Sequence, residues 1–232
     1  MKVLGLITAR GGSQRVKGKN LRLLGNIPLI EYTFKTASES KLLCRILLST
    51  DDIDCVRLAS KYPKVEVPFM RPKELATDLA TDLEVVTHAL DYLWASEGTI
   101  PDIVVHLRPT SPLRKSEQID EAVSLLHKHP EATSVRTVTK SDVSLFKLYL
   151  KENEYLTSPL SSDPELKNSP DQILPITYRH VGYVDAIRTS TIRNMNSMTG
   201  DRILPFFIPR ALPGINTEED LSNYEAYLDS TQ

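Results

Sequence analysis

The stretch "LGLITARGGSQRVKGKN", residues 4–20, decides the fold and points to the site. Its first half is a short apolar run, typical of a buried strand, and its second half is a turn with two adjacent glycines, Gly11 and Gly12. The cations of the stretch are Arg10, Arg15, Lys17 and Lys19. A turn between a strand and a helix can direct several backbone N–H groups at one anion, so the stretch predicts a phosphate-binding loop.

The spacing of this loop excludes the two familiar phosphate-loop patterns. A Walker loop requires G-x-x-x-x-G-K-[ST], but Gly12 and Gly18 are one residue too far apart, and Asn20 stands where the hydroxyl residue belongs. The dinucleotide pattern G-x-G-x-x-G does not occur here. A surface turn with solvated cations remains an alternative. The position after the first strand favours the phosphate-binding interpretation, because open sheets bind phosphate there.

Strand-like and helix-like runs alternate through the first 140 residues. The strand-like runs are "KVLGLITA", "RILLSTDD", "VEVPFM", "DIVVHL" and "ATSVRTVT", and the helix-like runs are "IPLIEYTFKTASES", "DIDCVRLASKY", "DLEVVTHALDYLWAS" and "SEQIDEAVSLLHKH". This alternation predicts an α/β fold of three layers, with helices on both faces of a mostly parallel, doubly wound sheet. Ligands of such sheets lie beyond the carboxyl ends of the strands, where "TARGGSQR", "STDD", "MRP" and "RPTSPLR" fall.

Several side chains carry more specific expectations. The third helix should bury an apolar face, and its members are Val85, Val86, Ala89, Leu90, Leu93 and Trp94. Cys44 and Cys55 are expected to be buried, reduced thiols. Asp51 and Asp52 either cap the following helix or face the site. His106 is expected to be a hydrogen-bonded histidine within a strand.

The alternation ends at a segment of about 141–176, which is rich in proline and polar residues. A long irregular insertion of this kind is usually functional or an interaction arm. Strand character then returns in "HVGYVDAIR" and "ILPFFIP", and "TEEDLSNYEAYLDS" predicts a last helix with Thr217 as its N-cap. We therefore expect a single domain over 1–232 with an inserted arm.

The composition and net charge restrict the kinds of partner that the protein is expected to bind. The net charge of −2 gives no broad attraction to nucleic acid or to an anionic membrane, and 41% hydrophobic with 25% charged residues is typical of globular proteins. No apolar run approaches membrane-spanning length. We expect a cytoplasmic protein that binds neither nucleic acid nor membrane.

Five blocks in this order resemble a known family: "ARGGSQRVKGKN", "LSTDD", "RPKELATDLATD", "HLRPTSPLR" and "INTEEDL". They are similar to the sugar-acid cytidylyltransferases, and in particular to the acylneuraminate cytidylyltransferases (CMP-sialic acid synthetases). The resemblance implies a nucleotide-diphospho-sugar transferase-like fold and transfer of CMP from CTP to an acidic nine-carbon sugar, with release of pyrophosphate. It further implies Mg²⁺ on the phosphates, and a homodimer in which the arm reaches the neighbouring subunit.

The resemblance also assigns residues to each part of the site. On the triphosphate side it implies that Gly11 and Gly12 form the turn and that Ser13 and Arg15 contact the phosphates. It implies that Lys19 and Arg10 are the catalytic cations. On the nucleoside side it implies Asn20, Arg71, Ala80 and Asp82, the last at a position where relatives often have serine. Arg108 would line the sugar-acid side, and Arg179 would precede the sugar-binding strand.

The chain departs from the family pattern at the metal site. The family reads "IDIDTxxDL", whereas this chain reads "PGINTEEDL", so Gly214 and Asn216 replace two aspartates. An amide oxygen is a weaker Mg²⁺ ligand than a carboxylate, which leaves Asn216 as the candidate ligand, supported by Asp185 or by the acids at 218–220. A relative that binds nucleotide but is catalytically weakened is therefore one alternative.

The sugar side departs as well. Arg108 replaces a glutamine that relatives often have, and "SPDQILP" lacks arginines that some relatives carry. Arginine at this position favours an extra carboxylate or phosphate. Legionaminic or pseudaminic acid is therefore favoured over N-acetylneuraminate. The alternative within enzymes is another nucleotidyltransferase, acting for example on 3-deoxy-manno-octulosonate.

Overall fold

The computed structural model describes residues 1–160, 164–209 and 211–230. The strands are β1 Val3–Ala9, β2 Leu23–Leu24, β3 Ile27–Pro28, β4 Arg45–Thr50, β5 Val65–Glu66, β6 Ile103–Leu107, β7 Ser134–Lys140, β8 Leu150–Glu152, β9 Tyr155–Thr157, β10 Tyr178–Arg188 and β11 Ile203–Phe207. The α-helices are α1 Leu29–Glu39, α2 Ile53–Ala59, α3 Asp82–Glu97, α4 Ser116–Lys128, α5 Thr189–Met195 and α6 Glu218–Asp229.

Seven of these strands form one sheet in the order β11-β7-β10-β6-β1-β4-β5. β1 pairs in parallel with β4 on one side and with β6 on the other, and β10 runs antiparallel to both of its neighbours. The chain builds outward from β1 through β4 and β5 and then returns to β6 on the other side. The prediction of a mostly parallel, doubly wound sheet is confirmed, and its switch point lies between β1 and β6.

Two separate cores confirm the three layers. On one face, Ile7 of β1 packs in the same cluster as Phe34 of α1 and Val123 of α4. On the other face, Leu6 packs in a cluster with Leu90 of α3 and Ile192 of α5. Because β1 is covered on both faces, its sequence is apolar at successive positions rather than alternating.

Two side chains differ from expectation. Trp94 is 62% exposed, whereas Val86 and Leu90 of the same helix are fully buried. Trp94 lies at the edge of the helical stripe, about one-quarter turn past Leu93, so the apolar face ends before it. Cys44 is exposed because it lies ahead of β4, while Cys55 on α2 is buried as predicted.

The arm forms its own small elements between β7 and β10. The strands β8 and β9 pair as an antiparallel hairpin that shares no strand with the main sheet. Within the described part of the arm, many large apolar side chains are exposed: Val143, Leu145, Leu148, Tyr149, Leu150, Tyr155, Leu156, Ile173 and Ile176. Residues 161–163 of the predicted arm lie outside the described residues. Among the helices that are described, none is long and apolar enough to cross a lipid bilayer.

Candidate active site at the switch point of the sheet

A cleft of about 230 Å³ opens at the carboxyl ends of β1 and β6. Most of the residues predicted for the site line it: Arg10, Ser13, Lys19, Asn20, Arg71, Ala80, Asp82, Arg108 and Asn216. The structure thus brings together segments that are up to two hundred residues apart in the chain. Gly11, Gly12, Arg15 and Arg179 are not among the lining residues, and Arg179 instead donates to the carbonyl of Ala211 at 2.9 Å.

The first loop is anchored by side chains. The N–H of Gly11 donates to Oδ1 of Asp51 at 2.8 Å, and Nδ2 of Asn20 donates to the carbonyl of Arg10 at 2.8 Å. A Cβ on Gly11 would lie 3.2 Å from Cβ of Asp52, a tight contact, so the close approach of the loop to the residues after β4 favours glycine. Asp52 caps α2, as one of the two alternatives had it, whereas Asp51 holds the loop. The Gly11 amide therefore already has a hydrogen-bond acceptor within the protein.

The two predicted catalytic cations differ in their partners. Arg10 forms an ion pair with Asp78 from the segment before α3. Nζ of Lys19 donates to the carbonyl of Ile215 at 3.1 Å and forms no ion pair within the residues that the structure describes. Burial, and after it the neighbouring Arg15 and Arg10, lowers the pKa of Lys19 below its usual value of 10.5. The charge of Asp220 acts in the opposite direction on this pKa. Lys19 is therefore a half-buried cation that is influenced by Asp220 but forms no direct ion pair in the described part of the chain.

Arg71 is 6% exposed, so the alternative that it is an ordinary surface residue is wrong. Its Nη2 donates to the carbonyl of Ser49 at 2.6 Å and its Nε to Oγ of Ser49 at 3.1 Å. Burial lowers the pKa of Arg71 to about 10. The side chain forms a fixed, charged wall of the cleft.

The opposite wall contains a network of ion pairs. Nη2 of Arg108 donates to Oδ2 of Asp82 at 2.7 Å, and Nη1 of Arg108 donates to Asp185. Asp185 is fully buried and also binds Arg136 at 2.8 Å and His180 at 2.7 Å. Burial raises the pKa of Asp185, but the His180 hydrogen bond and the two arginines together hold it well below its usual range. A buried carboxylate is stable only with such partners.

A bulge in β10 makes this network possible. The pairing of β10 with β7 shifts register between His180 and Asp185, and Gly182 between them has a φ of 67°. In a regular strand, residues five apart face opposite sides of the sheet. Here five steps along β10, from His180 to Asp185, match only two steps along β7, from Val138 to Arg136, so the irregularity is what brings His180 and Asp185 together. Sequence reasoning missed Arg136 and His180. The available signal was an aspartate inside an apolar strand, which requires cationic partners.

His106 on β6 lies beneath the same wall and is completely buried. Its Nε2 is 2.8 Å from Oγ1 of Thr8, but its Nδ1 has no hydrogen-bond partner and lies 3.9 Å from Oδ2 of Asp82. Burial, with the nearby Arg108, lowers the pKa of His106 to about 3, so the ring is neutral at physiological pH. The expectation of a hydrogen-bonded strand histidine is met at only one of the two ring nitrogens.

The donor set does not fit a magnesium ion held by the protein. The described residues contain no group of three or more His, Cys, Asp or Glu side chains placed to hold a metal. Oδ2 of Asp220 accepts the N–H groups of Asn216 and Thr217, both at 2.8 Å, and so serves as part of the α6 capping box. Asp185 is already surrounded by cations.

An open α/β sheet with a cationic cleft at its switch point defines a class of proteins that bind phosphorylated ligands. Within that class, a profile described as cytidylyltransferase matches residues 4–181 of this chain. The chain belongs to the cytidylyltransferase family.

Curated relatives are similar over the first part of the chain. A CMP-N,N'-diacetyllegionaminic acid synthase of Legionella pneumophila is 38% identical over 145 residues, which are 62% of this chain and 60% of the relative. A pseudaminic acid cytidylyltransferase of Campylobacter jejuni is 37% identical over 122 residues, which are 53% of this chain and 52% of the relative. An N-acylneuraminate cytidylyltransferase of Escherichia coli is 34% identical over 61% of this chain and 32% of its own length. The matches therefore span about one-third to three-fifths of these relatives.

Solved structures agree on the fold. A CMP:2-keto-3-deoxy-manno-octonic acid synthetase complexed with CTP superposes with a TM-score of 0.71 at 16% identity, over the full length of both chains. A 4-diphosphocytidyl-2C-methyl-D-erythritol synthase from Anaerococcus prevotii gives a TM-score of 0.66 at 17% identity, over 98% of each chain. At these identities the likeness shows the shared architecture.

We predict that Asp51→Ala loosens the first loop. Loss of the charged acceptor of the Gly11 N–H should lower the free energy of unfolding by about 1 to 2 kcal/mol and speed hydrogen exchange of the Gly11 amide. Urea denaturation and amide exchange by NMR measure the two effects. The matched control is Asp54→Ala, which removes an exposed partner of Arg57 and should cost less than about 1 kcal/mol. Equal exchange at Gly11 in both variants would contradict the anchoring role of Asp51.

Proposed function

We propose that the protein transfers CMP from CTP to an acidic nine-carbon sugar of the legionaminic, pseudaminic or sialic acid type. The anomeric hydroxyl of the sugar attacks the α-phosphorus, the bond to the bridging oxygen breaks, and pyrophosphate leaves. Membership of the cytidylyltransferase family supports the CTP half of the reaction. The names of the relatives from Legionella pneumophila and Campylobacter jejuni support the sugar half.

The observation that carries the proposal is the cation Lys19, which lines the cleft and forms no ion pair among the described residues. Displacement at phosphorus depends mainly on positioning and on stabilisation of negative charge, which a fixed ammonium group supplies. In this proposal Lys19 lies against the α-phosphate, and Arg10 leaves Asp78 to bind the triphosphate together with Ser13. Asn20, Arg71 and Ala80 form the nucleoside side, and Arg108 faces the carboxylate of the sugar.

Magnesium enters the proposal as a counter-ion of the nucleotide's phosphates. Because the carboxylates around the cleft are already bound to cations or to helix N–H groups, we assign no step to a metal ligated by the protein. Asn216 remains beside the cleft as a neutral neighbour of the phosphates. A Cβ on Gly214 would lie 3.3 Å from Oγ1 of Thr110, so an aspartate there would require a small shift of the Thr110 side chain.

We expect Lys19→Ala to lower kcat for pyrophosphate release by about 10²- to 10³-fold, the usual effect of removing a preorganised charge-stabilising group. The assay combines CTP with legionaminic, pseudaminic and N-acetylneuraminic acids and 3-deoxy-manno-octulosonate, with and without magnesium. The control is Lys17→Ala, since Lys17 is an exposed cation of the same loop and should leave kcat nearly unchanged. No pyrophosphate release by the native protein with any sugar would refute the transferase proposal, and CTP binding without turnover would instead support the weakened relative.

The lowered pKa of Lys19 predicts how CTP binding depends on pH. The empty site disfavours the protonated lysine, whereas the anionic triphosphate favours it, so binding should take up a proton as pH approaches the pKa of Lys19. CTP affinity should therefore fall with rising pH below the ordinary lysine value of 10.5. In Lys19→Arg the cation stays protonated, so the alkaline fall should be smaller than in the native protein, with the contribution of Arg71 remaining. Calorimetry across this range measures both; identical profiles for the two proteins would remove Lys19 from the phosphate site.

We further propose that the arm forms the contact of a homodimer and that the protein acts in the cytoplasm. The arm exposes many apolar side chains, and this supports a second copy of the chain as its partner. Large exposed apolar patches usually mark surfaces that contact another protein. Leu156→Lys on β9 should convert the dimer to a monomer in sedimentation velocity. Trp94→Lys, which changes an exposed apolar residue outside the arm, should leave the dimer intact. A native protein that sediments as a monomer at all concentrations would overturn this part of the proposal.

A further inference from the structure

Oδ2 of Asp82 lies between two side-chain nitrogens at the Arg108 end of the cleft. It is 2.7 Å from Nη2 of Arg108 and 3.9 Å from Nδ1 of His106. Asp82 belongs to the first turn of α3, and its side chain is 47% exposed, so it has room to move. The first nitrogen is engaged, and the second is within about 1 Å of hydrogen-bond distance.

The two carboxylates that bind Arg108 are not equivalent. Asp185 is completely buried and has Arg136 and His180 as further partners, so it is fixed in place. Within the described residues, the side chain of Asp82 has Arg108 as its only hydrogen-bond partner. Breaking a half-exposed ion pair costs little, whereas leaving a buried charge without its partner is strongly unfavourable. Asp82 is therefore the displaceable partner.

His106 supplies the place to which Asp82 can move. The contact between Thr8 and Nε2 is compatible with either tautomer of the neutral ring. We infer the tautomer in which the Thr8 hydroxyl donates to Nε2 and the proton is on Nδ1, the nitrogen that has no partner. A buried donor without a partner is costly and rare in native proteins, and it often marks a group that is satisfied in another functional state. If Asp82 left Arg108 and did not reach His106, its carboxylate would have no side-chain donor.

We propose that Asp82 is a displaceable lock on Arg108 and that His106 receives it. When the carboxylate of the acid sugar enters the cleft, it takes the Nη2 edge of Arg108, and Asp82 shifts onto the Nδ1–H of His106. Asp82 and His106 are thus positioning residues that act through Arg108. This inference rests on the proposed function, since it assigns the acid group of that substrate. It differs from the role in the cytosine pocket that the sequence implied for Asp82.

The first test is Asp82→Asn, assayed with the free acid sugar, with its methyl ester and with varied CTP. The neutral amide competes less for Arg108, so the KM for the free acid should fall about two- to fivefold, the range that a half-exposed ion pair is worth. The KM values for the ester and for CTP should stay near those of the native protein. Asp91→Asn is the control, because it weakens an ion pair with Arg193 on the same helix, away from the cleft.

The outcomes separate the alternatives. A raised KM for CTP would show that Asp82 binds the nucleoside, and an unchanged KM for the acid would show a purely structural pair; either overturns the lock. If the native protein neither binds nor converts any acid sugar, the proposed function fails, and the lock fails with it. If the native protein is active but Asp82→Asn does not lower the KM for the acid sugar, the proposed role of Asp82 fails while the proposed function stands.

A second test separates the two nitrogens of His106. Glutamine places its amide near Nε2 and keeps the contact with Thr8, whereas asparagine places its amide near Nδ1 and keeps a donor for Asp82. His106→Gln should raise the KM for the acid sugar about fivefold, as expected from loss of one hydrogen bond, whereas His106→Asn should not. In the Asp82→Asn background, His106→Gln should have no further effect. Thermal melts identify any variant that fails to fold, in which case the Asp82→Asn comparison decides.

Discussion

Burial of β1 on both faces is the constraint on which the rest of the structure depends. Leu6 and Ile7 are both fully buried, each in a different core, so the strand cannot shift without exposing one of the two layers. Its parallel neighbours β4 and β6 fix its register, and the loop that begins at Arg10 consequently emerges at the switch point. Asp51 at the end of β4 then holds that loop through Gly11. The packing of a central strand thereby determines where cations meet in the cleft.

The sugar end of the cleft depends on a different constraint, the solvation of one buried carboxylate. Asp185 lies on a strand that is otherwise apolar, and it remains ionised because Arg108, Arg136 and His180 replace its lost water. The bulge at Gly182 is required for that arrangement. A local irregularity in β10, the strand that pairs with β6, therefore determines which charged side chains balance one another in the cleft.

The sequence was sufficient to predict the strands and helices whose apolar residues recur with a regular spacing. The apolar runs and glycine turns located β1, β4 and β6, and the helical spacing located α1, α3 and α4, because these patterns directly reflect burial. The third helix also shows where such a pattern stops being informative: Trp94 fits the stripe in sequence but lies beyond its edge in space. Arg136 and His180 were not predicted, because their role arises only from the pairing of β7 with a bulged β10. That pairing joins residues with no recognisable spacing in the chain.

The two ends of the cleft consequently differ in how their cations are balanced. Within the residues described, Lys19 forms no ion pair and only the charge of Asp220 acts against its neighbouring cations, so an anion that reaches it has no salt bridge to displace. Arg108 is already neutralised by two carboxylates, so an anion there gains only the difference between itself and Asp82. In the proposed function, the first arrangement favours affinity for the nucleotide. The second favours discrimination between sugars, because a neutral sugar would not displace Asp82 from Arg108. A single cleft can in this way bind one partner strongly and select the other.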